Sequence, residues 1–190
     1  VATGAIRRCG DIRGLNIVVL GAGAIGNLVA QVAVASGAKK VVITDVNRNR
    51  LAIAAQCGIH ACVNTSERKL KDVIVEQFGD DEADIIIDCA GVKAVFTEIV
   101  AAARCSSKIV VVANYKEPVE VELPLFQRRE VDLLGIMMYV REDFDRAIEL
   151  MATKAINTAP PSAANSAPII HSSGERSCWR SSNLKNSNMA

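Results

Sequence analysis

The sequence predicts an α/β fold in which a doubly wound, parallel, six-stranded sheet is covered by helices on both faces. Three observations lead to this prediction. Short apolar runs rich in β-branched residues alternate with longer segments of helical period along most of the chain. The apolar runs show no polar alternation, so both faces of each strand are expected to be buried, as is typical of parallel sheets. Alternation of strands and helices builds right-handed βαβ units and hence an open sheet.

The predicted elements follow one another in a regular order. Six strands are predicted from the apolar runs, at Asn16–Leu20, Lys40–Thr44, Ala61–Asn64, Ala83–Asp88, Lys108–Val112 and Val131–Met137. Five helices are predicted between and after these runs, at residues 24–36, 47–57, 67–78, 92–103 and 141–153. We take residues 1–156 as one domain, which suits a chain of 190 residues that is 50% hydrophobic and 23% charged.

Residues 157–190 differ in composition from the rest of the chain. They hold three of the five prolines, eight serines and five asparagines, but only three residues from the Ile/Leu/Val/Phe set. Such a segment buries too little apolar area to offset its ordering entropy. The sequence therefore predicts a disordered, low-complexity Ser/Asn/Pro tail.

The overall charge and the cysteine pattern narrow the classes of function. The chain has 22 basic and 21 acidic residues, so neither a nucleic acid nor a membrane is expected as a partner. Six cysteines, none of them in a Cys-x-x-Cys pair, are typical of free thiols in a reducing compartment, and the predicted location is cytoplasmic. The chain opens at Val1 without an initiator methionine, which we interpret as a fragment of a longer protein.

A glycine-rich turn follows the first predicted strand. The segment G-A-G-A-I-G occupies residues 21–26 and leads into an amphipathic helix. Gly21 permits a tight turn, Gly23 lets the backbone approach a diphosphate, and Gly26 lets the helix pack on the strand. The unsatisfied N–H groups and the positive end of the helix dipole would hold the phosphates. This context favours a dinucleotide-binding turn over a plain strand-to-helix turn.

An acidic residue closes the second strand at the spacing that such a turn requires. Asp45 lies 19 residues after Gly26, where a dinucleotide fold places a carboxylate against the adenosine ribose hydroxyls. The same carboxylate repels a 2′-phosphate, so it favours NAD over NADP. A helix N-cap is the alternative role of Asp45, although Asn47 suits that role equally. We expect Arg50 to contact the adenosine ribose and Arg48 to face solvent.

The fourth predicted strand ends in small residues. It closes with Asp88, Cys89, Ala90 and Gly91. In a doubly wound sheet the cofactor lies where the strand order reverses, between the ends of the first and fourth strands, and small residues leave room for it there. Cys89 is interpreted as core filling rather than as a nucleophile, because no histidine lies near it in the sequence.

These features together resemble the cofactor domain of the medium-chain, zinc-type alcohol dehydrogenases, and more closely the polyol and threonine dehydrogenases. The resemblance covers about residues 1–156 and rests on N-I-V-V-L-G-A-G-A-I-G from residue 16, D-I-I-I-D-C-A-G from 84, K-I-V-V-V-A from 108 and V-D-L-L-G-I-M-M from 131. It implies a Rossmann fold that binds NAD. The cofactor-binding residues that it implies are Gly21, Gly23, Ala24, Ile25 and Gly26 at the pyrophosphate, Asp45 and Arg50 at the adenosine ribose, and Ala90, Ala113, Ile136 and Met137 at the nicotinamide end.

The resemblance also implies an activity and an assembly. The activity is hydride transfer between a secondary alcohol, from the alcohols or polyols, and NAD; the assembly is a homodimer formed through the last strand, Val131–Met137. In the family a separate N-terminal domain carries the catalytic zinc, which acts as a Lewis acid. Two alternatives stay open: a non-catalytic module that senses NAD or is structural, and a zinc-free quinone reductase of the same superfamily. Asp45 counts against the second, since those enzymes commonly prefer NADPH.

The sequence departs from the family in its metal ligands. It contains two histidines, His60 and His171, and no His-Glu pair, while Cys57 and Cys62 have no partner pair. We therefore expect no metal ligand and no catalytic residue in this chain, with zinc only in the N-terminal domain. The chain alone is expected to bind NAD(H) weakly and to show negligible turnover.

Overall fold

A six-stranded, all-parallel sheet forms the centre of the fold in the computed structural model, which describes residues 1–158. Its strands are β1 (Asn16–Leu20), β2 (Lys40–Asp45), β3 (Ala61–Asn64), β4 (Ile85–Asp88), β5 (Lys108–Val111) and β6 (Asp132–Gly135). Their order across the sheet is β3-β2-β1-β4-β5-β6, so the strand order reverses between β1 and β4. The predicted doubly wound α/β sheet is therefore confirmed.

Helices connect the strands and cover both faces of the sheet. The α-helices of the described residues are α1 (Ala2–Cys9), α2 (Ala24–Ala35), α3 (Arg48–Ala55), α4 (Leu70–Phe78), α5 (Lys93–Ala102), α6 (Leu123–Arg129) and α7 (Arg141–Ala152), with a short 3-10 helix at Gly79–Asp81. None of the helices in the described part of the chain has both the length and the apolar character needed to cross a bilayer.

Two apolar clusters pack against opposite faces of the sheet. One joins Ile17 and Val19 of β1 to α1, α2, α3 and α7, and the other joins Val18 and Leu20 to α4, α5 and α6. Successive side chains of a strand point to opposite faces, so this division shows that β1 is covered on both sides. Every residue of β1 and of β4 is buried, as the unbroken apolar runs predict.

The last strand is shorter than predicted. The prediction of a strand at Val131–Met137 is wrong at both ends, because β6 has only four residues. Its partner β5 ends at Val111, which pairs with Gly135. The residues after Gly135 therefore have no further residues of β5 to pair with. β4 likewise begins two residues later than predicted, at Ile85 instead of Ala83.

Two helices are absent from the sequence prediction. α1 has no side-chain N-cap and carries Gly4 in its interior, so its local sequence favours a helix only weakly. α6 has seven residues with proline near its start, and Phe126 is its buried residue. Both helices are stabilised by packing on the rest of the domain, which local periodicity does not reveal. The predicted disordered tail, beyond its first two residues, lies outside the described residues.

Candidate functional site

Gly21 turns the chain at the carboxyl end of β1. Its φ of +92° lies in the left-handed region, which glycine adopts without steric cost. A Cβ at this position would lie 3.1 Å from the backbone nitrogen of Ala90. Gly21 therefore serves both the turn and the close approach of the loop that follows β4.

Gly23 and Gly26 differ in what surrounds them. A Cβ on Gly26 would lie 1.8 Å from the carbonyl oxygen of Gly21, so glycine lets the first turn of α2 pack against the loop. A Cβ on Gly23 would meet no atom of the described chain within 4 Å. The fold leaves the space over Gly23 open to a ligand.

The first turn of α2 presents N–H groups that lack protein acceptors. The N-cap is Gly23, which offers no side-chain hydrogen bond. Within residues 1–158, the hydrogen bonds leave the N–H groups of Ala24, Ile25 and Gly26 without an acceptor from the protein. Free donors at the positive end of a helix bind anions, and no acidic residue stands in this first turn. The open space over Gly23 and these donors together fit a diphosphate.

Asp45 lies beside this turn with its carboxylate already oriented. The side chain is buried, and its Oδ2 accepts a hydrogen bond of 2.7 Å from the Ala22 N–H. Its Oδ1 accepts another of 2.7 Å from the Asn47 N–H. Each carboxylate oxygen has a second lone-pair site, so both can still accept a ribose hydroxyl. The Nη1 of Arg50 lies 3.6 Å from Oδ2, next to the same position.

The N-cap of α3 is Asn47. Its side-chain oxygen accepts from the N–H groups of Asn49 and Arg50, at 2.9 and 3.3 Å. The alternative role considered for Asp45 is therefore filled by its neighbour, and the Asp45 carboxylate faces the glycine turn. Arg48 is exposed, as expected.

A residue to which the sequence analysis gave no role joins the loops at the carboxyl end of the sheet. Asp88, the last residue of β4, is 0% exposed. Its Oδ1 accepts from the N–H groups of Ala90 and Gly91, at 2.9 and 3.2 Å, and its Oδ2 accepts from the Tyr115 hydroxyl. The available signal was a carboxylate that ends the apolar run I-I-I-D, since a buried charge needs partners.

The residues predicted for the nicotinamide end are only partly brought together. The loops that carry Ala90 and Ala113 touch, because a Cβ on Gly91 would lie 3.0 Å from the Ala113 Cβ. Ile136 donates its N–H to Val111 at 3.0 Å, which keeps it at the same end of the sheet. Ile136 packs in part against the apolar cluster that contains Ile17 and Ala22, whereas Met137 is 76% exposed.

Cys89, beside the glycine turn, and Cys62, in β3, are thiols of raised pKa. Burial, with a smaller contribution from the Asp88 charge, raises the pKa of Cys89 to about 12. Burial also raises the pKa of Cys62. Thiols of raised pKa are little ionised near neutral pH and react slowly, which agrees with the interpretation of Cys89 as core filling. Within the described residues, no three His, Cys, Asp or Glu side chains are grouped so as to hold a metal ion, so these residues do not fit a zinc site.

Comparison with known proteins gives one family and a consistent set of relatives. A family model described as zinc-binding dehydrogenase matches residues 24–153. The 2-dehydro-3-deoxy-L-galactonate 5-dehydrogenase of Pseudoalteromonas atlantica is 33% identical over 158 residues, covering 80% of this chain and 46% of that protein. Human sorbitol dehydrogenase is 31% identical over 158 residues, covering 82% and 44%. The chain thus spans less than half the length of the curated relatives it matches.

Solved structures match the same region. A zinc-binding dehydrogenase of Sinorhizobium meliloti, bound to NADP, is 27% identical, with a TM-score of 0.74 over 82% of this chain and 46% of that one. An Escherichia coli alcohol dehydrogenase complexed with NADH is 24% identical, with a TM-score of 0.75 over 82% and 46%. At this identity the second structure supports the fold alone.

Proposed function

Because the chain belongs to the zinc-binding dehydrogenase family, we propose that it is the NAD-binding part of an alcohol or polyol dehydrogenase. The reaction would transfer a hydride between a secondary alcohol and NAD. One observation carries the proposal: the unpaired N–H groups at the start of α2 lie beside a buried carboxylate that ends β2. These are the groups that grip a diphosphate and a ribose in a dinucleotide fold.

The residues of this chain would bind and orient the cofactor. The N–H groups of Gly23, Ala24 and Ile25 would hold the pyrophosphate, while Gly21 and Gly26 shape the turn. Asp45 and Arg50 would contact the adenosine ribose. The cofactor, when bound, supplies the carbon that accepts or gives the hydride. The nicotinamide end would lie along the loops and strand ends that carry Ala90, Ala113, Ile136 and Met137.

We propose that NAD is preferred over NADP. The Asp45 carboxylate is fixed beside the glycine turn by two backbone N–H groups, and its charge would repel a 2′-phosphate on a ribose bound there. The S. meliloti relative is bound to NADP, and in this chain the Arg50 Nη1 lies 3.6 Å from the Asp45 Oδ2. The preference therefore rests on Asp45.

The proposal extends to the organisation of the protein. Residues 1–156 would be the NAD-binding Rossmann domain and 157–190 a tail, and zinc would be held in the part of the relatives' length that this chain does not span. Two copies would associate through the strand at 131–137. The free cysteines of the described residues support a cytoplasmic location. We expect the chain alone to oxidise no alcohol, and measurable turnover would contradict this.

Calorimetric titration of the full chain with NADH tests the proposal. Wild type should bind NADH, whereas Gly23→Ala should weaken binding about tenfold, or about 1.4 kcal/mol. The added Cβ enters open space in the protein, so the melting temperature should not change, but it obstructs the diphosphate. The melting temperature of Gly23→Ala is the control, because an unchanged value separates obstruction of the diphosphate from loss of folding. Absence of binding by the folded wild type, or equal binding by Gly23→Ala, would refute the assignment.

A further inference from the structure

The Asp88 carboxylate connects the loops that follow β4 and β5. Its Oδ1 holds the first of these loops through the Ala90 and Gly91 N–H groups. Its Oδ2 accepts a hydrogen bond from the hydroxyl of Tyr115, which lies four residues after the end of β5. The backbone carbonyl of Asp88 accepts from Val112 and Ala113 at 2.9 and 3.0 Å. One residue therefore fixes both loops.

Two contacts fix the Tyr115 side chain, one at its ring and one at its hydroxyl. Its ring packs edge-on against Phe96 of α5, with the ring centroids 6.0 Å apart and the planes at 86°. Burial, reinforced by the Asp88 carboxylate, raises the pKa of the Tyr115 hydroxyl. The hydroxyl therefore remains protonated, and able to donate, throughout the neutral range. Asp88 is fully buried, so loss of this donor would leave a lone pair of a buried carboxylate unsatisfied.

We propose that Tyr115 is a positioning residue for the nicotinamide end of the cofactor site. Its hydroxyl, bound to Asp88, holds the loop of Ala113 against the loop of Ala90. This inference rests on the proposed function, because it assigns those two loops to the nicotinamide end. The adenosine end, formed by the glycine turn and Asp45, is held by hydrogen bonds that do not include Tyr115, and we expect it to be affected less.

The position of Tyr115 predicts a selective effect. Removing the hydroxyl frees the loop after β5 while the ring stays packed on Phe96. A mobile loop must become ordered when it contacts the ligand, and the entropy lost in this ordering weakens binding. The affinity for a ligand that fills only the adenosine diphosphate part of the site should therefore change little. The affinity for a ligand that carries nicotinamide should fall.

The test compares NADH with ADP-ribose, which lacks the nicotinamide ring, by calorimetric titration of the full chain. Tyr115→Phe should raise the Kd for NADH about threefold to tenfold and change the Kd for ADP-ribose by less than about twofold. Ser107→Ala is the matched control. It deletes a buried hydroxyl that donates to the Arg104 carbonyl at 2.7 Å, at the opposite end of β5, and should leave the ratio of the two Kd values as in wild type.

Each outcome has one meaning. A selective loss of NADH affinity in Tyr115→Phe, with wild-type affinity for ADP-ribose, supports the inference. An unchanged ratio, including equal weakening of both ligands, overturns it while the proposed function stands. Failure of wild type to bind either ligand refutes the proposed function itself. Thermal unfolding of each variant confirms that the compared proteins are folded.

Discussion

Asp45 illustrates how one side chain prepares a site before a ligand arrives. Its two oxygens accept from the Ala22 and Asn47 N–H groups, which belong to the glycine turn and to the approach to α3. The carboxylate is therefore fixed in place by the fold. A preoriented acceptor loses little side-chain entropy on binding. If Asp45 binds a ribose as we propose, its remaining lone pairs can contribute most of their hydrogen-bond energy to that contact.

The first prediction concerns cofactor choice. Wild type should bind NADH more tightly than NADPH, and Asp45→Asn should reduce that preference about tenfold, because the variant removes the charge that repels the 2′-phosphate. Asparagine is a better test than alanine, since its amide oxygen still accepts from one of the two N–H groups that Asp45 holds. Calorimetric titration with both cofactors measures the ratio. Equal affinity of wild type for NADH and NADPH would contradict the proposed role of Asp45 in selecting the cofactor.

A second variant tests Arg50, the other residue that we propose at the adenosine ribose. Its Nη1 lies 3.6 Å from the Asp45 carboxylate, and its side chain is 56% exposed. Asp45 is buried, but it keeps its two backbone N–H donors without Arg50, and a long ion pair with a solvent-exposed cation contributes little to stability. Arg50→Met should therefore leave the free energy of unfolding within about 0.5 kcal/mol. An effect on the Kd for NADH without an effect on stability would support a contact with the ribose.

At the scale of elements, an ion pair joins the first and last helices of the described chain. Arg7 of α1 donates from Nε and Nη2 to the two oxygens of Asp143 in α7, at 2.8 and 3.1 Å. The Asp143 side chain is 2% exposed and the Arg7 side chain 45%. The N–H of Val140, the N-cap of α7, donates to the same carboxylate at 2.9 Å. Asp143 thus anchors α1 and the start of α7 together.

The stability of this junction should depend on pH. Burial alone raises the pKa of Asp143, but the hydrogen bonds from Arg7 and Val140, with the nearby positive charges, outweigh it and lower the pKa. A folded-state pKa below the unfolded value of about 3.9 stabilises the protein fully above that pH. The stabilisation is lost as the pH falls through the folded-state value.

Arg7→Met tests the junction. At pH 7 the variant should lose about 1–3 kcal/mol of unfolding free energy, less than a fully buried pair would, because Arg7 is partly screened by solvent. The deficit should shrink below about pH 4, where Asp143 is increasingly protonated. Urea denaturation across this range measures it. Arg8→Met, at the exposed neighbouring position, is the control, and a deficit that is the same at every pH would contradict the charge mechanism.

These elements also show how far local sequence predicts the fold. The buried strands β1 and β4 are predicted well, because an unbroken apolar run has one interpretation in a parallel sheet. α1 and α6 are missed, because their helices depend on packing: Gly4 weakens the first, and the second has only Phe126 to bury. The strand at 131–137 is predicted too long, since its end is set by where β5 stops, not by its own composition.

The candidate site divides in the same way. The glycine turn and Asp45 are predicted because their roles follow from spacing along the chain. The pairing of Asp88 with Tyr115 joins residues 27 positions apart, and it exists only because β4 and β5 are neighbours in the sheet. A contact between Gln31 and Asn157, outside the candidate site, is equally hidden from local sequence patterns. The Asn157 N–H donates to the Gln31 side-chain oxygen at 2.6 Å, and the Gln31 amide nitrogen donates to the Asn157 carbonyl at 3.2 Å.

At the scale of the whole molecule, the two edge strands of the sheet differ in how far their side chains are exposed. β3 forms one edge, all of its residues are half-buried, and its Asn64 donates to the Val46 carbonyl at 2.8 Å. β6 forms the other edge, and Leu133 within it is 44% exposed. Met137 and Met138, just beyond, are 76% and 51% exposed. An apolar open edge invites pairing with another strand, so β6 is the side on which we expect a second copy to bind.

The last prediction follows from that edge. If two copies pair their β6 strands about a two-fold axis, each contributes the same surface, and a charge placed there is repeated on both sides of the interface. Leu133→Lys should therefore convert a dimer into a monomer at micromolar concentration, as measured by sedimentation. Val75→Lys is the matched control, since Val75 is 48% exposed on α4, which packs against α5 and the 3-10 helix. A wild type that sediments as a monomer, or a Leu133→Lys variant that remains dimeric, would rule out association through β6.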